Sequence, residues 1–403
     1  MTWKSDYART LIDSHVDRTF IVDTLSELAR VPTDVPLGYE TLMEPDDPKL
    51  VHYVQDEIRP RLLDLGVEDL IDDAGNNLIA RLGPAQSSRS ILLQTYTPAQ
   101  HHNLMDEPFS GRVGDGTEVG RQGLVVHGQG VSQAKAHQVV MLAVCKLLAD
   151  TGVQLQGNAF WAVNNEGRSS HACSDAIVAA LPTRPDFAIL LTDCGMRLSL
   201  GNKGRVDIDV TIEGKAVHSS SPQLGLSAIE AASDFVQSLR ELSWPDSHPV
   251  LGNRHAVVYK VRFDPLAPHT LPSRAELTVD RRLLPGDSVE QAVEEIRALT
   301  PRLDPFDVTV KPSVVMFPAM VPSDSEVVTA LQRSITAVRG RPATEFYGKG
   351  TFDAGGPAAH GIPTIMWGAG GFGDWPLGRD FVEVDDVVDE VRTIAHLLLM
   401  ELG

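Results

Sequence analysis

A handful of side chains in this sequence are of the types that do chemistry. Glu166 follows two asparagines at the end of a short apolar run, WAVNNEG, and a carboxylate there is a candidate general base if it is desolvated. Its structural alternative is an ordinary ion pair with Arg168. Tyr96 closes another apolar run, ILLQTY, and with Lys135 or Lys349 it could form an acid–base pair; otherwise it simply fills space. Cys194 follows Asp193 at a strand end. A nucleophilic thiolate there needs a lowered pKa, which an adjacent carboxylate opposes, so a buried inert cysteine is the favoured reading. Arg282, in DRRLLPG, carries a forked guanidinium suited to a carboxylate, and it can equally pair with an acid of its own domain.

The order of motifs adds to this. Ile91–Lys135 contains an apolar strand, a Pro108–Phe109 step, Asp115–Gly116 and a glycine-rich turn ending at Lys135. WAVNNEG, LLTDCG, GKAVHSSSPQLGLSAIEAA, HTLPSRAELTVDRRLLPG and YGKGTFDAGGPAAHGIPTIMWGAG follow. This series resembles the two-zinc peptidase family of aminoacylase, carboxypeptidase G and succinyl-diaminopimelate desuccinylase, from about residue 15 to the C-terminus.

The resemblance implies two zinc ions, a bridging carboxylate, a glutamate base and a homodimer, with an amino-acid derivative or short peptide as substrate. It places the metal site on Tyr96, Gln133, Asn165, Glu166, Asp193 and Pro376, with Asp380 four residues beyond the last. Asn165 stands where the base belongs, so only Glu166 and Asp193 are left as carboxylate ligands, too few for zinc. His101, His102, His127 and His171 lie near these segments, but none has H-x-x-x-H or H-x-D spacing, so they read as loop or surface histidines. The expectation is no bound metal. The candidate catalytic residues are Glu166, Tyr96 and His218.

The recognition half of the pattern is fuller. His218 matches the family histidine that binds a substrate carbonyl or carboxylate across the dimer. Arg282, His269 (where the family has Asn), Thr351 and Asp353 match substrate-facing positions. Three functions follow: a metal-independent enzyme acting on an amide or peptide bond, a pseudoenzyme that binds an amino-acid-like ligand or a partner, and a zinc hydrolase with a displaced site.

These residues need a scaffold. Short apolar runs at 76–82, 90–94, 158–163 and 188–192 alternate with helical spacing at 14–29, 50–65, 136–151 and 173–180, which predicts a mainly parallel sheet covered by helices. From Gly201 the pattern changes to strict alternation, as in VDIDVTI, in the order strand–helix–strand–strand–helix–strand of a ferredoxin-like fold. The expected organisation is an α/β peptidase-like domain of residues 1–202 and 316–403, with a ferredoxin-like dimerisation or lid domain at 203–315. Helices at 323–338 and 384–402 and a strand at 363–367 complete the first domain.

Composition bounds the rest. With 403 residues, two domains are expected. A net charge of −19 argues against nucleic acid and anionic membranes as partners. No run approaches the eighteen or so apolar residues of a membrane span. Three cysteines without paired spacing fit a reducing compartment, and the expected location is the cytoplasm.

Overall fold

The structure, a computed structural model, describes residues 3–35, 43–72, 76–84, 86–99, 105–165, 170–371 and 378–403. Glu166, Pro376, His101 and His102 therefore lie outside the described residues. Backbone contacts divide the chain into two compact units. The larger comprises Met1–Gly201, Ala319–Tyr347 and Asp353–Gly403, and the smaller Asn202–Pro318 with Gly348–Phe352.

The larger unit is built on a sheet of nine strands among the described residues. Its centre is four parallel strands in the order Asn158–Asn164, Ser90–Tyr96, Phe187–Leu191 and Thr364–Trp367. Every residue of these four is buried, which is why they read as apolar runs without alternation. Antiparallel neighbours flank them: Leu78–Leu82 on one side and Leu198–Asn202 on the other. The sheet is thus mixed rather than mainly parallel. The short flanking strands lack the all-apolar signature that marks the centre.

Helices cover the sheet. Ala136–Thr151 ends at Gly152, whose φ of 66° is left-handed and closes the helix without a Cβ clash. The final helix, Val384–Leu402, buries thirteen of its nineteen residues, including Val391, Ile394 and Leu398. The helical spacing at 14–29 resolves into two helices, Trp3–His15 and Arg18–Ala29. Asp17 causes the break: its backbone is extended and its carboxylate accepts from the Phe20 N–H as an N-cap. Residues 50–65 form a helical stretch whose middle, His52–Ile58, winds as π-helix. Among the described residues no helix is long and apolar enough to cross a membrane.

The smaller unit has an antiparallel sheet in the order Ala256–Asp264, Arg274–Leu283, Gly204–Glu213, Asp307–Met316. In chain order these are strands two, three, one and four, the ferredoxin-like arrangement. Val206, Ile208, Val210 and Ile212 point into a core with Ala231 and Phe235 of the helix Ala228–Arg240 and Ile296 of Val289–Arg297. Ser227 and Ser288 cap these two helices, which fixes where each begins.

Candidate active site

Three of the parallel strands, Ser90–Tyr96, Asn158–Asn164 and Phe187–Leu191, deliver their carboxyl ends to one edge of the sheet, where α/β proteins place their ligands. Tyr96 is the last residue of its strand and pairs in register with Asn164. Asn165 follows one strand, and Thr192 and Asp193 follow another. The turn Gly128–Lys135 lies over the same edge: the Tyr96 hydroxyl is 2.9 Å from Thr192 Oγ1, which in turn donates to the Gln133 carbonyl at 3.4 Å. Tyr96, Gln133, Asn165 and Asp193 are therefore all delivered to this edge by the fold.

Each is held by neighbours. Tyr96 is 2% exposed, and its carbonyl accepts from Gln138, which also receives the Tyr53 hydroxyl. Asn165 is buried: its backbone N–H donates to Asn77 Oδ1 and its carboxamide to the Asn76 carbonyl. The Asp193 carboxylate lies so close to Gly370 that a Cβ there would come within 2.1 Å of Oδ1. Asp193 adds to the effect of burial in raising the pKa of Cys194, so that thiol is an inert core group.

Asp380 has a defined local task. Its two oxygens accept the Gly130 and Ser132 N–H groups at 2.6 and 3.3 Å, pinning the turn that leads to Gln133. Burial raises its pKa to about 6, against the lowering effect of those hydrogen bonds. Lys135 is fully buried. Its ammonium donates to the Val31 and Ala29 carbonyls and lies 5.8 and 5.9 Å from the Tyr53 and Phe109 ring centroids. Burial brings its pKa down to about 7, with Asp380 and Asp34 opposing the fall.

One pair here went unread in the sequence. His137 Nδ1 is 2.9 Å from Glu390 Oε1, and Nε2 is 2.9 Å from the Ser132 carbonyl; both side chains are fully buried. An acceptor at each ring nitrogen favours the doubly protonated imidazolium. Burial pulls its pKa down, but the charge and hydrogen bond of Glu390 hold it above the usual value. The second Glu390 oxygen accepts the Ala369 N–H at 2.7 Å. The available signal was one histidine and one glutamate on otherwise apolar helix faces.

The other candidate residues divide between the units. On the smaller unit, His218 is exposed and pairs with Thr270 in a two-residue ladder. Its Nδ1 accepts the Ser220 N–H at 3.2 Å, leaving Nε2–H as a donor toward solvent. The His269 ring lies 6.0 Å from it, centroid to centroid, on a left-handed backbone with φ of 54°. Arg282 donates to both oxygens of Asp280 at 2.8 Å and to Thr351 Oγ1 at 2.7 Å. On the larger unit, Asp353 is buried with its Oδ1 3.8 Å from His171 Nδ1. Thr351 and Asp353, two residues apart, belong to different units.

The comparisons with known proteins agree with this architecture. Residues 200–307 match the model of a peptidase dimerisation domain. Carboxypeptidase G2 of Pseudomonas sp. is 27% identical over 343 residues, covering 82% of this chain and 77% of that protein. Acetylornithine deacetylase of Myxococcus xanthus is 24% identical over 402 residues, covering 93% and 98%. The M20 family metallo-carboxypeptidase of Sulfolobus solfataricus superposes with a TM-score of 0.74 at 16% identity, over 94% of this chain and 99% of that one. Residues 200–307 thus carry the M20 peptidase dimerisation domain, and similarity to M20 peptidases extends over most of the chain. The motif resemblance read from the sequence is thus a true relationship, and the inserted ferredoxin-like unit is the M20 dimerisation domain. M20 peptidases ordinarily use zinc. Among the described residues of this chain, no group of three or more His, Cys, Asp or Glu is gathered as a metal site.

The His137–Glu390 pair generates a stability prediction. Glu390→Gln leaves a buried imidazolium without its counter-charge, and the expected loss is about 3–5 kcal/mol in urea unfolding near pH 6. The folded pKa of His137 is raised, so its stabilisation is complete below about pH 6.5 and declines as pH rises through the folded value. The difference between wild type and variant should therefore shrink at alkaline pH. A small difference at every pH would mean that the pair is not charged.

Proposed function

We propose that this M20 homologue acts on an amide or peptide bond of an amino-acid derivative or short peptide without the family's two-zinc centre. The observation that carries this reading is the set of groups at the strand ends. At the positions that the resemblance assigns to metal and base there stand a phenol, bonded to a threonine hydroxyl, and two carboxamides, at Gln133 and Asn165. Zinc is bound by thiolate, imidazole and carboxylate, and neither a neutral phenol nor an amide replaces them. Pro376 has no donor atom in its side chain. The residues do not fit the metal pair.

In this reading the protein groups do the work themselves. The Tyr96 hydroxyl, bonded to Thr192 at the strand end, becomes an oxyanion donor in this reading by exchanging that partner for the substrate oxygen. Glu166 is the base, taking a proton from water as its oxygen bonds to the carbonyl carbon and returning it to the amine as the C–N bond breaks. On the smaller unit, His218, through Nε2–H, and Arg282 are groups able to recognise a carbonyl or carboxylate, and the resemblance assigns them, with His269 and Thr351, to substrate. Asp353 is assigned to the pocket by resemblance alone. A second reading, a binding protein without turnover, is favoured by the burial of Tyr96 and Asn165, whose polar groups are already engaged.

The decisive experiment measures zinc per chain by elemental mass spectrometry after growth in zinc-supplemented medium, together with hydrolysis of N-acyl amino acids and dipeptides with and without chelator. The expected result is near-zero zinc and chelator-insensitive turnover that falls about 10²–10⁴-fold in Glu166→Gln. Saturable binding in calorimetry without turnover, weakened in His218→Ala, would select the second reading. Two zinc ions per chain with chelator-sensitive activity would overturn both in favour of a zinc hydrolase.

We also propose a homodimer formed through the smaller unit. The match to a dimerisation domain supports it, as does the edge strand Ala256–Asp264, whose Val257, Tyr259 and Val261 are each about half exposed. An apolar unpaired edge invites pairing with a second copy. Sedimentation equilibrium should give a dimer for the wild type and a monomer for Val261→Lys. A wild type that stays monomeric at every concentration rules the dimer out.

A further inference from the structure

Away from the strand-end groups, the larger unit has a small cleft of about 260 Å³ whose walls include Arg197, Arg339, Arg341, Gly195, Met196 and Thr344. Three arginines thus contribute to the walls of one cleft in a protein whose net charge is −19, and among the described residues no acidic side chain lines it. Arg197 and Arg341 have no ion pair among the described residues. Arg197 instead lies over the Phe346 ring, 4.5 Å from its centroid. Arg339 reaches Asp386 and Asp389 only at 3.6 and 3.5 Å. Elsewhere arginines such as Arg254, Arg274 and Arg281 are closely matched to carboxylates.

Like charges gathered in one cleft repel each other unless an anion lies among them. The backbone brings them together on purpose-built turns. Gly195 and Met196 both have a φ of 57°, and the chain then returns so that the Leu198 N–H bonds the Thr344 carbonyl. Gly340, with φ of 73°, ends the helix Glu326–Arg339 between the other two arginines. A left-handed non-glycine residue such as Met196 is uncommon and persists only where its surroundings hold it. Guanidinium forks suit the oxygens of phosphate and carboxylate. The cleft is below the ~300 Å³ at which pockets for larger ligands begin, which excludes a nucleotide.

We propose that this cleft binds a small oxyanion, a phosphate or a compact dicarboxylate, through Arg197, Arg341 and Arg339. The site begins two residues after Asp193. The Arg197 N–H bonds the Cys194 carbonyl and the Met196 N–H bonds the Gly368 carbonyl, so the bound anion holds the loop that carries Asp193.

The test is calorimetry on the full chain with inorganic phosphate and, separately, succinate, at constant ionic strength set by sodium chloride. The expected result is saturable binding of one anion per chain for at least one of them, and the tighter of the two identifies the chemistry. Arg341 and Arg197 are exposed, so Arg341→Gln and Arg197→Gln should fold, as circular dichroism would check, and each should weaken binding at least tenfold. Arg240→Gln, an exposed arginine on the smaller unit, should leave it unchanged. Heats that do not saturate for either anion, or an affinity unchanged in Arg341→Gln, would overturn the proposal.

Discussion

The buried contact between the His137 imidazolium and Glu390 fixes the geometry around which the larger unit is assembled. It joins the helix Ala136–Thr151 to the final helix, and through the second Glu390 oxygen it also holds the turn after the strand Thr364–Trp367. His137 Nε2 meanwhile anchors the Ser132 carbonyl, next to Gln133. A charge pair in a dry interior is costly to assemble, and it persists where its remaining hydrogen-bonding capacity is filled, as it is here by Ser132 and Ala369. The strand-end residues are therefore presented by a frame that is rigid for electrostatic as well as apolar reasons.

The fold was legible because its strongest constraints leave simple marks. The central strands are buried on both faces and read as unbroken apolar runs. The smaller unit's strand Gly204–Glu213 has one core face, so it alternates, and the periods of the two units differ visibly. Less legible were features set by single residues. The break at Asp17 depends on one carboxylate choosing a cap over continued helix. The antiparallel flanks of the large sheet are short and depend on pairing partners distant in sequence, as when Leu198–Asn202 joins Thr364–Trp367.

The candidate site was legible in its positions and less so in its bonding. Motif order put Tyr96, Gln133, Asn165 and Asp193 in one series, and three strand ends and one turn bring them to one sheet edge. What no spacing could say is that Tyr96 donates toward Thr192, that Asp380 serves the Gly130–Ser132 turn, or that Arg282 already holds Asp280 with two of its donors. Thr351 and Asp353 show the same limit. Adjacent in one motif, they lie with different partners, Arg282 and His171. Side-chain pairing is decided by packing, and a linear pattern does not record it.

The discontinuity of the larger unit has a consequence for synthesis on the ribosome. The turn at Gly130–Ser132 is closed by Asp380, 250 residues later in the chain, and the strand Leu124–His127, paired with Val113–Asp115 on one side, waits for Phe381–Glu383 on the other. At about 5–20 residues per second, that delay is roughly 12–50 s. Through it the helix carrying His137 has no Glu390 to meet. The smaller unit, almost contiguous in sequence, has no such wait and can complete its core while the chain is still growing. All four strands of the smaller unit's sheet are thus synthesised before Asp380, Phe381–Glu383 and Glu390, the partners that complete the N-terminal half of the larger unit.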